Sequence, residues 1–585
     1  MILRTWLASF VLMLAATAVY AQTAPPTIYP LTRAEILAGS KFDLKVEFPG
    51  APSPLDVKVT INGVDAGETF RRYPQLTADE DGMGVLAYWV RGVSLDKAGS
   101  YEISAQAGSG PESTVTWEVF DTPKGRIAKN VILFIGDGLS MAHRTAARIL
   151  SKGLKEGRYS GELAIDDMPY MALVSTSGTD SVVTDSANSM SAYTTGHKTC
   201  VNAMGVYCAK NKNSLEHPHV ENLTELAKRR LKLAVGVVTN TEIEDATPAA
   251  MVAHTRRRTD YDDIVKAFYA TQPEVIMGGG SPNFLPASSP DGKRADNEDY
   301  THKLADSGYQ VVKTNTELNA VAAGANTTKL LGIFNKLNID GALDRRILKA
   351  GTVPLYPDQP DLTDQVRTAL QVLSRNDQGF LLMVESGRID KFSHSLDWER
   401  AVYDTIMLDN AVKVAKDFAG TREDTLIIVV ADHAHPISII GTYDDAGGEE
   451  LRDKLQIYDK AKFPNYAPAD VDGYPPTPWV SRRLAVVFAA FPDHCDAGRP
   501  FVAGENVPAE KGSDGKTAVA NEANCKLPGA ARRMGNLPFT ADRGVHSADD
   551  VVLTAMGPGA DQFHGRIDNT RVFRAIATAL GLGEP

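Results

Sequence analysis

Three groups of residues have the types and spacing to do metal-assisted chemistry. Val183-Thr184-Asp185-Ser186-Ala187 opens a small-residue segment that reads as a helix start, with a serine hydroxyl beside a carboxylate. Asp390-Lys391-Phe392-Ser393-His394 sets Asp390 and His394 four apart, on one face if the segment is helical. Ala431-Asp432-His433-Ala434-His435 supplies a second carboxylate–histidine pair with another histidine two residues on. Histidine nitrogen with carboxylate oxygen suits tetrahedral zinc. A serine hydroxyl is a poor nucleophile at its free pKa, and a divalent metal can hold it ionised without a general-base histidine. The combination points to metal-assisted hydrolysis of an anionic ester.

Each residue also has a plainer reading. Asp137, in Gly136-Asp137-Gly138, and Asp185 would each serve as a helix cap. Thr247, in Glu244-Asp245-Ala246-Thr247-Pro248, would cap a helix whose first residue is Pro248. Arg258 then falls about three helical turns on and competes with Arg256 and Arg257; composition does not choose among them. A lone Asp–His pair four apart is most often a surface hydrogen bond. What tips the balance is placement. Val131-Ile132-Leu133-Phe134-Ile135 runs into Asp137, Phe380-Leu381-Leu382-Met383-Val384 into Glu385, and Leu426-Ile427-Ile428-Val429-Val430 into Asp432. Open α/β sheets put their sites just past the carboxyl ends of such strands.

The elements that must position these residues follow from the same runs. Continuous apolar strands, including Leu233 to Val238 and Val275 to Met277, alternate with helical stretches. That pattern implies an α/β fold with a central, mostly parallel sheet covered by helices on both faces. Residues 27–120 differ. Runs with period two at Phe42 to Phe48, Val57 to Ile61, Val85 to Val90, Tyr101 to Ala105 and Thr114 to Val119, punctuated by turns, read as a small immunoglobulin-like β-sandwich. It carries no catalytic cluster, so a spacer or stabilising role is expected and the chemistry should not need it. Residues from about 441 to 536 are rich in Pro, Gly and Asp and read as an insertion over one rim of the site, with Leu484 to Phe488 as a strand in it or at its edge.

The chain has 585 residues, 43% hydrophobic, with net charge −12. That is enough for a large core plus a further domain. The absence of a basic patch argues against nucleic acid as a specific partner. Arg4, the apolar run from Trp6 to Ala18 and the small-residue site at Val19-Tyr20-Ala21 read as a signal peptide over residues 1–21, which places the protein in the periplasm or outside the cell. The run is short for a membrane span, so no stable anchor is expected. Cys200, Cys208, Cys495 and Cys525 are even in number, which in an oxidising compartment suggests two disulfides. Pairing 200 with 208 and 495 with 525 closes the shortest loops among three connectivities.

Taken together, these segments resemble the alkaline phosphatases. Asn130 to Gly138, Val183 to Thr199, Asp245 to His254, Glu385 to His394, Ala431 to His435, and His546 followed by Phe563-His564-Gly565 carry the likeness, across residues 128–585 apart from the insertion. The resemblance implies phosphate monoesters as substrates, two zinc ions and one magnesium per chain, and a homodimer as an assembly to consider. It implies Ser186 as the nucleophile that becomes phosphoserine. Asp390, His394 and His546 would hold the first zinc, with His564 as the competing histidine. Asp432 and His433 would hold the second zinc with Ser186, and Asp137 would bridge it to magnesium, whose other ligands would be Thr247 and Glu385. Arg258, four residues after His254, matches the phosphate-clamping arginine, with Asp185 orienting it. Asp245 and Lys391 match the bacterial-type pair near magnesium and phosphate, and His435 stands behind the zinc ligands. A diesterase or sulfatase-like hydrolase on the same core, or a non-catalytic secreted binding protein, are the alternatives. Ser186 and the complete ligand set favour the monoesterase.

Overall fold

The computed structural model describes residues 24–50, 53–324 and 326–583; the proposed signal peptide lies outside them. A ten-stranded sheet forms the centre of the chain. Its spatial order is Gln310–Val312, Leu330–Ile333, Val275–Gly279, Ala234–Glu242, Phe380–Ser386, Asn130–Gly136, Thr425–Val430, Val551–Met556, Tyr170–Ser175 and His564–Asp568. Every neighbouring pair is parallel except those made by Val551–Met556, which runs against both Thr425–Val430 and Tyr170–Ser175. The strands Asn130–Gly136, Phe380–Ser386 and Thr425–Val430 are buried at every residue, which requires cover on both faces. One helical group packs Met141–Lys152, Leu362–Leu373 and Trp398–Ala419 together; another joins Ser186–Thr195 to Thr570–Leu580.

Residues 27–120 form two sheets. Thr27–Tyr29, Phe42–Pro49, Val85–Val93 and Gln75–Thr77 make one; Ala34–Leu37, Ser113–Phe120, Gly99–Ala107, Val57–Ile61 and Val64–Asp65 make the other. Leu44, Val46, Phe48 and Tyr88 from the first sheet share one core with Val59, Ile103, Trp117 and Val119 from the second. Tyr207 and Val220, from beyond residue 128, enter that same core. The two-sheet unit is therefore bound to the rest of the chain through its own interior, which a mere spacer would not require.

Beyond the Thr425–Val430 strand, a separate three-stranded sheet pairs Ile437–Asp444 with Leu455–Gln456 and Arg482–Phe488. It begins at Ile437, ahead of the break in pattern near Gly441, because the strand straddles that break. The Cys495–Cys525 disulfide staples the irregular part that follows, and Cys200–Cys208 closes a short loop near the site. That part also reaches the short helix Arg388–His394: Ser395, just after it, donates to Glu505 at 2.6 Å, and Arg388 donates to the same carboxylate at 3.2 Å.

One local expectation fails. Pro248 does not open a helix that carries on to Arg258. The helix is Ala246–Ala249, capped by Asp245, with Thr247 inside it. Asp245 accepts from the Ala246 N–H at 2.8 Å, so the better N-cap residue sets the start and leaves Pro248 two positions in. Arg258 lies in the loop beyond.

Candidate active site

The carboxyl ends of adjacent strands converge on one spot. Asp137 follows the Asn130–Gly136 strand, Glu385 lies near the end of Phe380–Ser386, and Asp432 and His433 follow Thr425–Val430. Gly138 has φ +66°, and a Cβ there would meet the His435 ring at 2.7 Å and the Asp390 backbone at 3.2 Å. Only glycine lets the chain turn this close to the neighbouring ligand residues. Its N–H donates to Asp432 Oδ1 at 3.0 Å, as does the His433 N–H at 2.9 Å.

Ser186 is the first residue of the helix Ser186–Thr195, capped by Asp185, whose carboxylate accepts from the Asn188 N–H at 3.2 Å. Ser186 is buried. Its hydroxyl lies 3.2 Å from His433 Nε2 and 3.5 and 3.4 Å from the two Asp137 oxygens. His433 Nε2 is also 3.3 Å from Asp137 and 3.4 Å from Asp432. Asp137, Asp432 and His433 thus form one tight donor group beside the serine.

A second group gathers Asp390, His433, His435 and His546. Asp390 Oδ1 lies 2.6 Å from His435 Nε2 and 3.3 Å from both His394 Nε2 and His546 Nε2. Asp390 and His394 lie on one short helix, Arg388–His394. The remaining nitrogens are turned outward by backbone carbonyls: His394 Nδ1 faces Gly544 O at 2.6 Å, and His546 Nδ1 faces Thr184 O at 2.8 Å. Such carbonyls fix which ring nitrogen is free for a ligand and have no sequence signature. His564 is exposed on an edge strand, so His546 is the histidine at the site. His435 touches Asp390 directly, closer than its sequence position alone conveys.

Arg258 is singled out among the three arginines. It donates to Asp185 Oδ2 at 3.1 Å and Asp245 Oδ1 at 2.7 Å. Arg256 donates to the Val201 carbonyl, and Arg257 is exposed. Lys391 donates to the other Asp245 oxygen at 2.6 Å. Glu385 accepts from Thr239, and from Thr241 at 3.0 Å, two contacts that the sequence reading missed. The alternation Thr239-Asn240-Thr241 at a strand end, with both threonines turned one way, was the signal available. Glu385 stands outside the two tight groups, although it is near enough to act on Asp137 electrostatically.

The electrostatics expose a charge deficit. Burial drives the Asp137 carboxyl well above the carboxylate range, and Asp432, Asp390 and Glu385 push the same way. Burial lifts Asp432 to about 6 against the Gly138 N–H, and Glu385 to about 7 against the Thr239 hydroxyl. Burial opposes charge on Asp390 as well, but His394, His435 and His546 hold it well below its usual range. Burial and the His546 ring keep His433 neutral. Burial also opposes charge on Arg258 and Lys391, yet the Asp245 carboxylate outweighs it in both, so they stay protonated. Six carboxylates (Asp137, Asp185, Asp245, Glu385, Asp390 and Asp432) therefore face two basic side chains. Buried Asp432 Oδ2, His433 Nδ1, His435 Nδ1 and Thr247 Oγ1 have no hydrogen-bond partner. Neutral imidazoles, crowded carboxylates and orphaned oxygens are the donor set that divalent cations satisfy.

A sequence model described as alkaline phosphatase matches residues 128–582. An alkaline phosphatase of Gadus morhua is 30% identical over 494 residues, covering 78% of this chain and 92% of that one. The alkaline phosphatase of Escherichia coli is 31% identical over 365 residues, covering 56% of this chain and 74% of that one. Among solved structures, the Thermus thermophilus alkaline phosphatase aligns with TM-score 0.55 at 25% identity, over 79% of this chain and 93% of that one. The fold of the enzyme from the Antarctic bacterium TAB5 aligns with TM-score 0.54 at 20% identity, over 78% and 99%. The chain belongs to the alkaline phosphatase family. It is an enzyme, a phosphoric monoester hydrolase.

Proposed function

We propose that the chain is an exported, metal-dependent phosphomonoesterase that works through a phosphoserine at Ser186. The observation that carries this reading is the buried Ser186 hydroxyl in contact with both Asp137 and His433, next in sequence to Asp185, which accepts from Arg258. Asp390, His394 and His546 would hold one zinc and Asp432, His433 and Ser186 a second, with Asp137 reaching toward magnesium beside Thr247 and Glu385. Bound there, the cations would supply Lewis acidity that favours ionised oxygen nucleophiles and offsets phosphoryl charge.

The side chains do the rest. Ser186 Oγ gives up its proton to solvent and attacks phosphorus, the Ser–O–P bond forms, and the bond to the alcohol oxygen breaks on the opposite side, the departing oxygen taking a proton from water. Water then attacks the phosphoserine, breaking the Ser–O–P bond and returning inorganic phosphate. Arg258, pinned by Asp185 and Asp245, presents its fork to two phosphoryl oxygens. Asp245 keeps that arginine charged and in place, and Lys391 holds the other Asp245 oxygen. His435 steadies Asp390 from behind. The apolar run near residue 10 and the two disulfides support a periplasmic or secreted location.

Ser186→Ala tests the mechanism. Labelled phosphoryl from a monoester is expected on the native protein and not on the variant, with most turnover lost. Label recovered on the variant, or on another residue, refutes the assignment.

A further inference from the structure

We infer that the N-terminal β-sandwich is a positioning module for the phosphate clamp, acting through the segment 199–221. The inference rests on the reading of Arg258 as that clamp. The contacts form an unbroken series. Phe42, which opens a sandwich strand, bridges antiparallel to Val220. The Asp43 N–H donates to the His219 carbonyl at 2.9 Å, and the Asp43 carboxylate accepts from the His219 N–H at 3.1 Å and from Gly92 at 2.7 Å. The Glu221 N–H donates to the Lys41 carbonyl at 2.9 Å, and the Lys41 N–H returns to the Glu221 carboxylate at 2.8 Å. Glu47 accepts from the Lys210 N–H at 2.6 Å, and the Tyr29 hydroxyl donates to the Cys208 carbonyl at 3.2 Å. Tyr207 and Val220 are buried in the sandwich core.

The far side of the same segment holds the clamp. His219 pairs back to Val206, and Met204 exchanges two backbone hydrogen bonds of 2.9 Å with Thr255. The His219 and His254 rings stack, with centroids 4.8 Å apart and planes 13° from parallel. Asn202 then makes the last link: its carbonyl accepts from the Arg258 N–H at 2.8 Å, and its own N–H donates to Asp185 Oδ1 at 3.1 Å. Asn202 has φ +68°, which asparagine tolerates better than most residues. One residue thus fixes the backbone of Arg258 and the carboxylate that aims its guanidinium. None of these contacts is made by Asp137, Asp390, His394, Asp432, His433 or His546. Disturbing the sandwich end should therefore loosen the grip on phosphate and leave the serine chemistry standing.

The test uses the full chain, with Asp43→Asn and the milder Tyr29→Phe, which removes a single hydrogen bond at the junction. Inhibition by inorganic phosphate and KM for a monoester should weaken about three- to tenfold for Asp43→Asn, less for Tyr29→Phe, with kcat and serine labelling retained. In an Arg258→Ala background the Asp43→Asn effect should largely vanish, because both changes act on one interaction. An unaltered phosphate inhibition in both junction variants, with a clear Arg258→Ala effect, overturns this inference alone. An Asp43→Asn loss that persists undiminished without Arg258, or that falls on kcat instead of KM, also overturns it. Arg258→Ala leaving phosphate inhibition intact refutes the clamp itself and this inference with it.

Discussion

Replacing Arg258 by alanine should separate monoester from diester hydrolysis. Removal of Arg258 leaves both carboxylates with other partners, although Asp185 Oδ2 loses its ion pair. Asp185 keeps the Asn188 and Asn202 N–H groups at 3.2 and 3.1 Å. Asp245 keeps Lys391 at 2.6 Å and the Ala246 N–H at 2.8 Å. The loss then falls on the phosphate contact and on the Asp185 oxygen left without the guanidinium. A charge-assisted hydrogen-bonded pair is worth about 1.5–3 kcal/mol, which is roughly ten- to a hundredfold in kcat/KM or phosphate inhibition. A monoester offers two charged oxygens to the fork, whereas a diester has one of them blocked and uses it in part. The assay is steady-state kcat/KM for a chromogenic monoester and diester, with metal content measured on each preparation. Monoester activity and phosphate inhibition should fall by that factor, and diester activity much less. Equal losses, or a large loss for Arg256→Ala or Arg257→Ala with none for Arg258→Ala, would refute the reasoning.

Two further outcomes are expected. Chelation should abolish activity and lower thermal stability, and zinc with magnesium should restore activity better than either alone; an active protein with one metal per chain by elemental analysis contradicts the donor groups. Burial opposes charge on His254, yet Glu225 at 3.1 Å raises its pKa from 6.5 to about 9. Its contribution to stability is therefore complete below pH 6.5 and fades as pH rises through 9. Glu225 is partly open to solvent, so the contribution is on the order of 1–2 kcal/mol. Denaturant midpoints across that window should decline in the native chain, and a similar decline in Glu225→Gln counts against the pair.

The sheet strands that carry the site were legible because each is a continuous apolar run ending in a carboxylate, as at Ile135 before Asp137 and Val430 before Asp432. A fully buried strand leaves that mark whatever surrounds it. Tyr170–Ser175 was missed although Tyr170 to Val174 is also an apolar run, because it leads into no carboxylate; Met171 and Leu173 are exposed while Ala172 and Val174 are buried. The arginine was not legible from composition because it sits in a loop whose shape is set by Asn202 and Met204, far from it in sequence though near in space. The docking of the sandwich was hidden for a related reason. It is made largely of backbone hydrogen bonds and of Tyr207 and Val220, which look like ordinary core residues.

The Tyr170–Ser175 strand has a consequence for how the molecule must be made. Among the described residues its only sheet partners are Val551–Met556 and His564–Asp568, from far down the chain. While synthesis proceeds from the N-terminus, almost four hundred residues must appear before that strand finds a neighbour. Closing so long a loop is slow, and open strand edges invite pairing with other chains in the meantime. A chain stopped short of residue 551 would lack more than its last histidine-bearing segment. It would keep an unsealed edge along the half-built sheet, and its fate should be aggregation rather than a soluble, merely inactive protein.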